Sequence, residues 1–310
     1  MPNDMHQLRT EPRTCKGSWA TVSCRNEDCA DKLKVHPRWV FGCDSAHCSN
    51  EECNDRWTSR RAYKARTRLA KAGNVGLAYV VLTLPEELYP MVMVKEGLSD
   101  VRRTSYAFLQ EWATVAHKLA PGQRIGGLCT FHPTGDNLNT FQPHLNLVYP
   151  LRAVTTDGTG WVNLKYHVEE DDLRALCAAW TAQCRAWGYT GPAPVQVNYE
   201  FRQTGPESIH TLSYVLRAFP TWSRSITYLA WFGIYSSRNA GALPIPPDEM
   251  EVLKPPDPLI CEGCGSSLCL VGFNEARGPP VKRARLTGRK VRKNFAESHE
   301  ERQKYAVLAP

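Results

Sequence analysis

The chain has 310 residues, more than the roughly 250 at which a single core usually stops growing, so more than one folding unit is expected. A charged fraction of 22% and a hydrophobic fraction of 42% exclude a disordered chain. No apolar stretch reaches the ~18–20 residues of a membrane-spanning helix, and 38 Lys+Arg against 31 Asp+Glu give +7, which permits a polyanionic partner. MPNDMHQLRTEPR at the N-terminus has no apolar signal region, so the expectation is a cytoplasmic protein without a membrane partner.

In chain order, cysteines come first. Six lie in the first 53 residues: Cys15, the pair Cys24-x4-Cys29, the pair Cys43-x4-Cys48, and Cys53, with His36 and His47 among them. Paired thiolates a few residues apart suit tetrahedral zinc, which holds small segments together where no hydrophobic core can. Cys24, Cys29, Cys43, Cys48 and Cys53 are therefore expected to bind one or two structural Zn²⁺ ions. DRWTSRRAYKARTRLAKAG follows, a helix with Asp55 near its start and Gly73 placed to end it. From Arg56 to Lys71 it carries seven cations and no acid, interleaved with Trp57 and Tyr63. Arg60, Arg61, Lys64 and Arg68 are its candidate phosphate-backbone contacts.

LAYVVLTLP at 77–85 reads as a buried strand stopped by Pro85, and 99–119 as a helix with Val101, Tyr106, Leu109 and Trp112 on its apolar face. Two strands, about 126–132 and 143–150, flank a polar loop. Residues 169–187 form an amphipathic helix, VQVNYEF at 195–201 another strand, and PESIHTLSYVLRAF at 206–219 a helix with Ile209, Leu212, Leu216 and Phe219 on one face. TYLAWFGIYSS, a proline-rich linker, the cluster Cys261-x2-Cys264-x4-Cys269 and a basic tail complete the chain. That cluster is one ligand short of a four-cysteine site, and Cys261, Cys264 and Cys269 are read as a second candidate zinc site. Cys129, Cys177 and Cys184 stand in apolar contexts and read as unliganded thiols. The division is a central α+β domain with small cysteine modules at its flanks.

Chemistry concentrates in two places. His144 and Asn146 are two apart on a strand and share a face, and His132 has the matching parity on the preceding strand. Two imidazoles and an amide oxygen can hold Mg²⁺ or Mn²⁺ with positions left open for phosphate oxygens. The helix at 206–219 collects Glu207, His210, Tyr214 and Arg217 on its polar side. Beside a metal that polarises a phosphodiester, Tyr214 could attack phosphorus.

The order of cysteines, VVLTLPEEL, LCTFHPTGDNLNTFQPHLNLVYP, LSYVLRAF, WFGIYSSRN and CEGCG resembles the HUH endonucleases, particularly rolling-circle transposases with an N-terminal zinc segment and the related replication initiators. Six blocks in one order span residues 24 to 269. The resemblance implies an HUH-like antiparallel sheet with flanking helices. It divides the chain into a zinc module at 1–55, a basic helix at 56–74, the nuclease domain at 75–240, a linker at 241–258, the cysteine cluster at 259–273 and a basic tail at 274–310.

Three departures sharpen the reading. The second histidine of the HUH motif is Asn146, an outer histidine is Gln142, and the second tyrosine of the helix is Ala218. A single tyrosine favours a replication initiator over a transposase. The resemblance then implies that Tyr214 attacks a phosphate in single-stranded or hairpin origin DNA, giving a 5′-phosphotyrosine and a 3′-OH for a host polymerase working with a helicase. His132, His144 and Asn146 would hold the catalytic ion, and Arg217 would touch the scissile or an adjacent phosphate. The protein would act on plasmid or viral DNA in the cytoplasm; KRARLTGRKVRK resembles a nuclear-import signal, but basic tails are common on nucleic-acid enzymes and import is not favoured. The missing histidine motivates an alternative from another class, a zinc-dependent DNA-binding protein whose nuclease site has decayed. The charge reading also changes: fifteen of the 38 basic residues fall in two acid-free runs, 56–71 and 277–293, so the remaining chain is net acidic.

Overall fold

The computed structural model describes residues 18–32, 34–41, 43, 45, 48–135, 140–203, 206–219, 229–236, 243–245 and 259–275, of which 18–21, 35–41, 206 and 270–275 are described as backbone. Cys15, His47, most of the proline-rich linker and the basic tail lie outside them. The described chain forms two compact units, one within 44–255 and one joining 14–43 to the segment after 255. Sequence had divided these as a module at 1–55 and a separate cluster at 259–273.

The larger unit is α+β. Its five-stranded antiparallel sheet runs β8-β3-β5-β4-β9, where β3 is Leu77–Thr83, β4 Gly126–Thr134, β5 Phe141–Pro150, β8 Val197–Arg202 and β9 Leu229–Gly233. Strands β3, β4 and β5 are buried on both faces, which is why they read as nearly continuous apolar runs. One face carries Val80, Leu82, Phe131, Leu145, Leu147 and Tyr149, in a core shared with helices α3 (Lys95–Ala116) and α4 (Glu170–Ala186) through Leu109, Trp112, Leu176 and Trp180. A short helix, α2 (Tyr89–Val92), leads into α3, and a small hairpin of β6 (Arg152–Val154) and β7 (Trp161–Asn163) follows β5.

The other face packs Tyr79, Leu128 and Val148 against α1 (Glu51–Leu69) and α5 (Pro206–Val215), through Ala62, Ala65, Leu69, Leu212 and Val215. Strands β4 and β5 approach closely at Gly127, where a Cβ would sit 1.9 Å from the Val148 carbonyl oxygen. Helix α1 starts four residues before Asp55, because the Asn50 side chain accepts a hydrogen bond from the Cys53 amide (3.3 Å) and Glu51 and Glu52 occupy the positive first turn. Helix α5 ends at Val215, short of the expected 219. The Val215 carbonyl accepts from His132 Nε2 (2.7 Å), and Pro220 disfavours helical backbone at Phe219.

The smaller unit is a three-stranded antiparallel sheet ordered β10-β1-β2, from β1 (Ser18–Ser23), β2 (Val35–Phe41) and β10 (Cys269–Glu275). Strand β1 pairs along its length with β10, so chain-distant segments share one sheet. No helix among the described residues is long and apolar enough to cross a membrane.

Candidate functional site

Strand alternation and antiparallel register assemble a polar seam on the α5 face of the larger sheet. His132 lies opposite His144, and Thr130 opposite Asn146. The imidazole centroids are 5.1 Å apart, His132 is 1% exposed and Asn146 fully buried. His132 Nε2 donates to the Val215 carbonyl (2.7 Å), and His144 Nδ1 donates to the Gln142 carbonyl (2.9 Å). A carbonyl only accepts, so each bond fixes a tautomer and leaves a lone pair on the opposite ring nitrogen. Metal-binding histidines are oriented in this way.

Asn146 is held by Tyr79, whose hydroxyl donates to Oδ1 (2.6 Å), while its Nδ2 and the buried Nδ1 of His132 have no hydrogen-bond partner among the described residues. A half-turn of the amide would let Tyr79 accept from Nδ2 and expose the carbonyl oxygen instead. Burial, reinforced by His144 and Arg217 nearby, holds His132 well below its usual pKa, so this imidazole is neutral at pH 7 and available as a ligand. Two oriented imidazoles and a buried amide therefore fit a divalent cation; His132, His144 and Asn146 would hold it.

Helix α5 brings Tyr214 to the same place. Its half-buried ring is 5.8 Å from the His132 ring, while Phe219, beyond the helix end, meets His132 edge to face at 4.9 Å. Glu207 and His210 are exposed on the same helix. Arg217 makes contacts within the protein. Its Nη2 donates to the carbonyls of Thr134 (3.1 Å) and Gly135 (2.9 Å), and its guanidinium lies 4.7 Å from the Tyr214 ring and 5.1 Å from that of Phe219. It ties the tyrosine segment to the end of β4.

The basic helix is also less open than its composition suggests. Arg61 lies over Trp57 (4.5 Å), and Arg68 lies over Trp231 (4.2 Å) while donating to the Tyr235 carbonyl (2.6 Å). Arg66 is buried and bonds Asn74 (3.3 Å). Lys64 is exposed and Arg60 partly so. Cations interleaved with aromatic residues here serve partly to pack α1.

The cysteines regroup. Cys24, Cys29, Cys261 and Cys264 bring four sulfurs within 4.8 Å of one another, as do the three of Cys43, Cys48 and Cys53. Both groups are placed to hold a metal such as zinc. The C-terminal pair thus completes an N-terminal one instead of forming a three-cysteine site with Cys269, which opens β10 and belongs to neither group. Cys129 and Cys184 are buried, which pushes their thiols up to about 11 and about 12; Cys177 donates to the Val195 carbonyl (3.2 Å).

Sequence reasoning missed Tyr79, Thr130 and Phe219. The first two were within reach of strand parity, since both lie on the faces that His144 and Asn146 share with their neighbours. No protein-family model, curated protein or solved structure matches the chain.

Proposed function

We propose that the protein is a metal-dependent DNA strand-nicking and rejoining enzyme of the HUH-endonuclease type, acting as a rolling-circle replication initiator with Tyr214 as nucleophile. The observation that carries this reading is the proximity of Tyr214 to the oriented histidine pair, 5.8 Å from the ring of His132. An antiparallel sheet with the pair on its two central strands, covered by the tyrosine helix, adds support.

In this reading Tyr214 Oη attacks the scissile phosphorus as the bond to the 3′ oxygen breaks. A 5′-phosphotyrosine and a free 3′-OH result, and attack by a 3′-OH reverses the step and rejoins the strand. The phenol loses its proton as the bond to phosphorus forms, and the departing 3′ oxygen takes one up from solvent, so the step balances. Bound Mg²⁺ or Mn²⁺ would supply neutralisation of the charge gathering on the phosphate oxygens. His132 and His144 orient the site through their carbonyl bonds, Tyr79 sets the amide of Asn146, and Arg217 fixes the tyrosine segment. With Ala218 where a second tyrosine would stand, one covalent strand is held at a time, which suits replication better than paired transposition.

The test incubates the full chain with single-stranded and hairpin DNA pools and Mn²⁺, then maps adducts by mass. Cleavage with an adduct on Tyr214, absent in Tyr214→Phe, is expected. An adduct persisting in Tyr214→Phe, or DNA bound tightly without cleavage, would overturn the proposal; the second result would leave a DNA-binding protein with a decayed site.

A further inference from the structure

We infer that Cys24, Cys29, Cys261 and Cys264 form a closed tetrahedral zinc site that fastens the two chain-distant halves of the smaller unit, so that neither half holds its fold without the other and the metal. This does not depend on the nuclease reading, since every residue involved lies in the other unit.

Geometry is the first support. Cys24 Sγ and Cys264 Sγ are 3.6 Å apart, and Cys29 Sγ and Cys261 Sγ 3.7 Å. A disulfide requires about 2.05 Å. A tetrahedron with Zn–S bonds of about 2.3 Å has an edge of about 3.8 Å, which the two observed separations approach. Four soft thiolates select zinc over hard cations and fill its coordination shell, marking a structural site with no position open to substrate.

The surroundings support the same assignment. Each of three sulfurs is met by the backbone two residues on: Asp31 N–H bonds Cys29 Sγ at 3.3 Å, and the backbones of Asn26 and Ser266 bond Cys24 and Cys264. Such amides stabilise thiolates and orient metal ligands. Tight turns set the spacing: the Gly265 amide closes onto the Cys261 carbonyl (2.9 Å), with Gly265 at φ +71°. The halves touch beyond the sulfurs as well. Asn26 Nδ2 donates to Ser266 Oγ (3.0 Å), and at Gly263 a Cβ would lie 3.2 Å from Asp31 Oδ2 and 3.5 Å from Cys29 Sγ.

Energetics point the same way. Apart from the cysteines, the buried cluster of this unit contains only Val22 and Leu268 among the described residues. Ordering two chain-distant segments costs conformational entropy, which a structural metal can offset.

The full-length protein provides the test. It is purified, analysed for metal, and alkylated before and after addition of a zinc chelator, with reacted cysteines mapped by mass. Bound zinc, four unreactive thiols, and joint exposure of Cys24, Cys29, Cys261 and Cys264 on chelation are expected. Cys261→Ser should lose one equivalent of zinc and expose Cys24 and Cys29 to alkylation without chelator, whereas Cys269→Ser should retain wild-type zinc. A disulfide between any two of the four, iron in place of zinc, or protection of Cys24 and Cys29 that survives the loss of Cys261 would overturn the inference. Should Cys261→Ser fail to fold, chelation of the unaltered chain still decides. Exposure of Cys24 and Cys29 without Cys261 and Cys264 would refute the shared site.

Discussion

His132 reaches across from the sheet to the last residue of α5: its Nε2 donates to the Val215 carbonyl at 2.7 Å, one residue after Tyr214. A single hydrogen bond thus fixes a tautomer and ties the sheet to the C-terminal end of the helix that carries Tyr214. Under the proposed function, His144→Ala should abolish nicking and weaken Mn²⁺ binding at least tenfold, while leaving zinc content unchanged. Titration calorimetry with Mn²⁺ beside metal analysis separates the two kinds of site.

Arg217→Lys keeps a cation but loses the planar guanidinium that lies against the Tyr214 and Phe219 rings while its Nη2 donates to both the Thr134 and Gly135 carbonyls. Nicking should fall about tenfold or more, with DNA affinity and its salt dependence nearly unchanged. A markedly flatter salt slope would instead reveal a phosphate contact.

Gly127→Ala tests the close approach of β4 and β5. The added methyl carbon would meet the Val148 carbonyl at 1.9 Å, which backbone must yield to accommodate. A stability loss of about 3 kcal/mol is expected by denaturant titration.

His117 predicts a pH dependence. Burial lowers its pKa from 6.5 to about 4, and its Nε2 lies 3.1 Å from the Tyr149 hydroxyl. Between those values the unfolded chain binds a proton that the folded chain refuses. The stabilisation is therefore complete above pH 6.5 and is lost as pH falls toward 4, by about 3 kcal/mol in total. His117→Gln, which does not titrate, should show a correspondingly flatter stability profile over that range.

Legibility followed the range of the interactions. The seam of His132, His144 and Asn146 could be read because strand alternation is local and one-residue parity decides the face. Tyr214 could be placed on a helix, but the end of that helix could not, because His132 and Pro220 set it together. The surroundings of Arg61 and Arg68 were hidden for a related reason: sequence shows their charge, whereas the rings of Trp57 and Trp231 that receive them are disclosed only by packing. The partners of Cys24 and Cys29 were out of reach altogether. Spacing within each cluster is local, but the choice of Cys261 and Cys264 over Cys43 and Cys48 rests on pairing between β1 and β10.

That pairing also sets a timetable. Cys264 leaves the ribosome 240 residues after Cys24, on the order of tens of seconds later at ordinary elongation rates. Throughout that interval the first two thiols await partners not yet made, and the intervening sheet and helices can complete their own fold. The smaller unit is then the last part of the molecule to be finished, and a chain interrupted before Cys261 would carry a finished sheet with its first cysteine pair still unmatched.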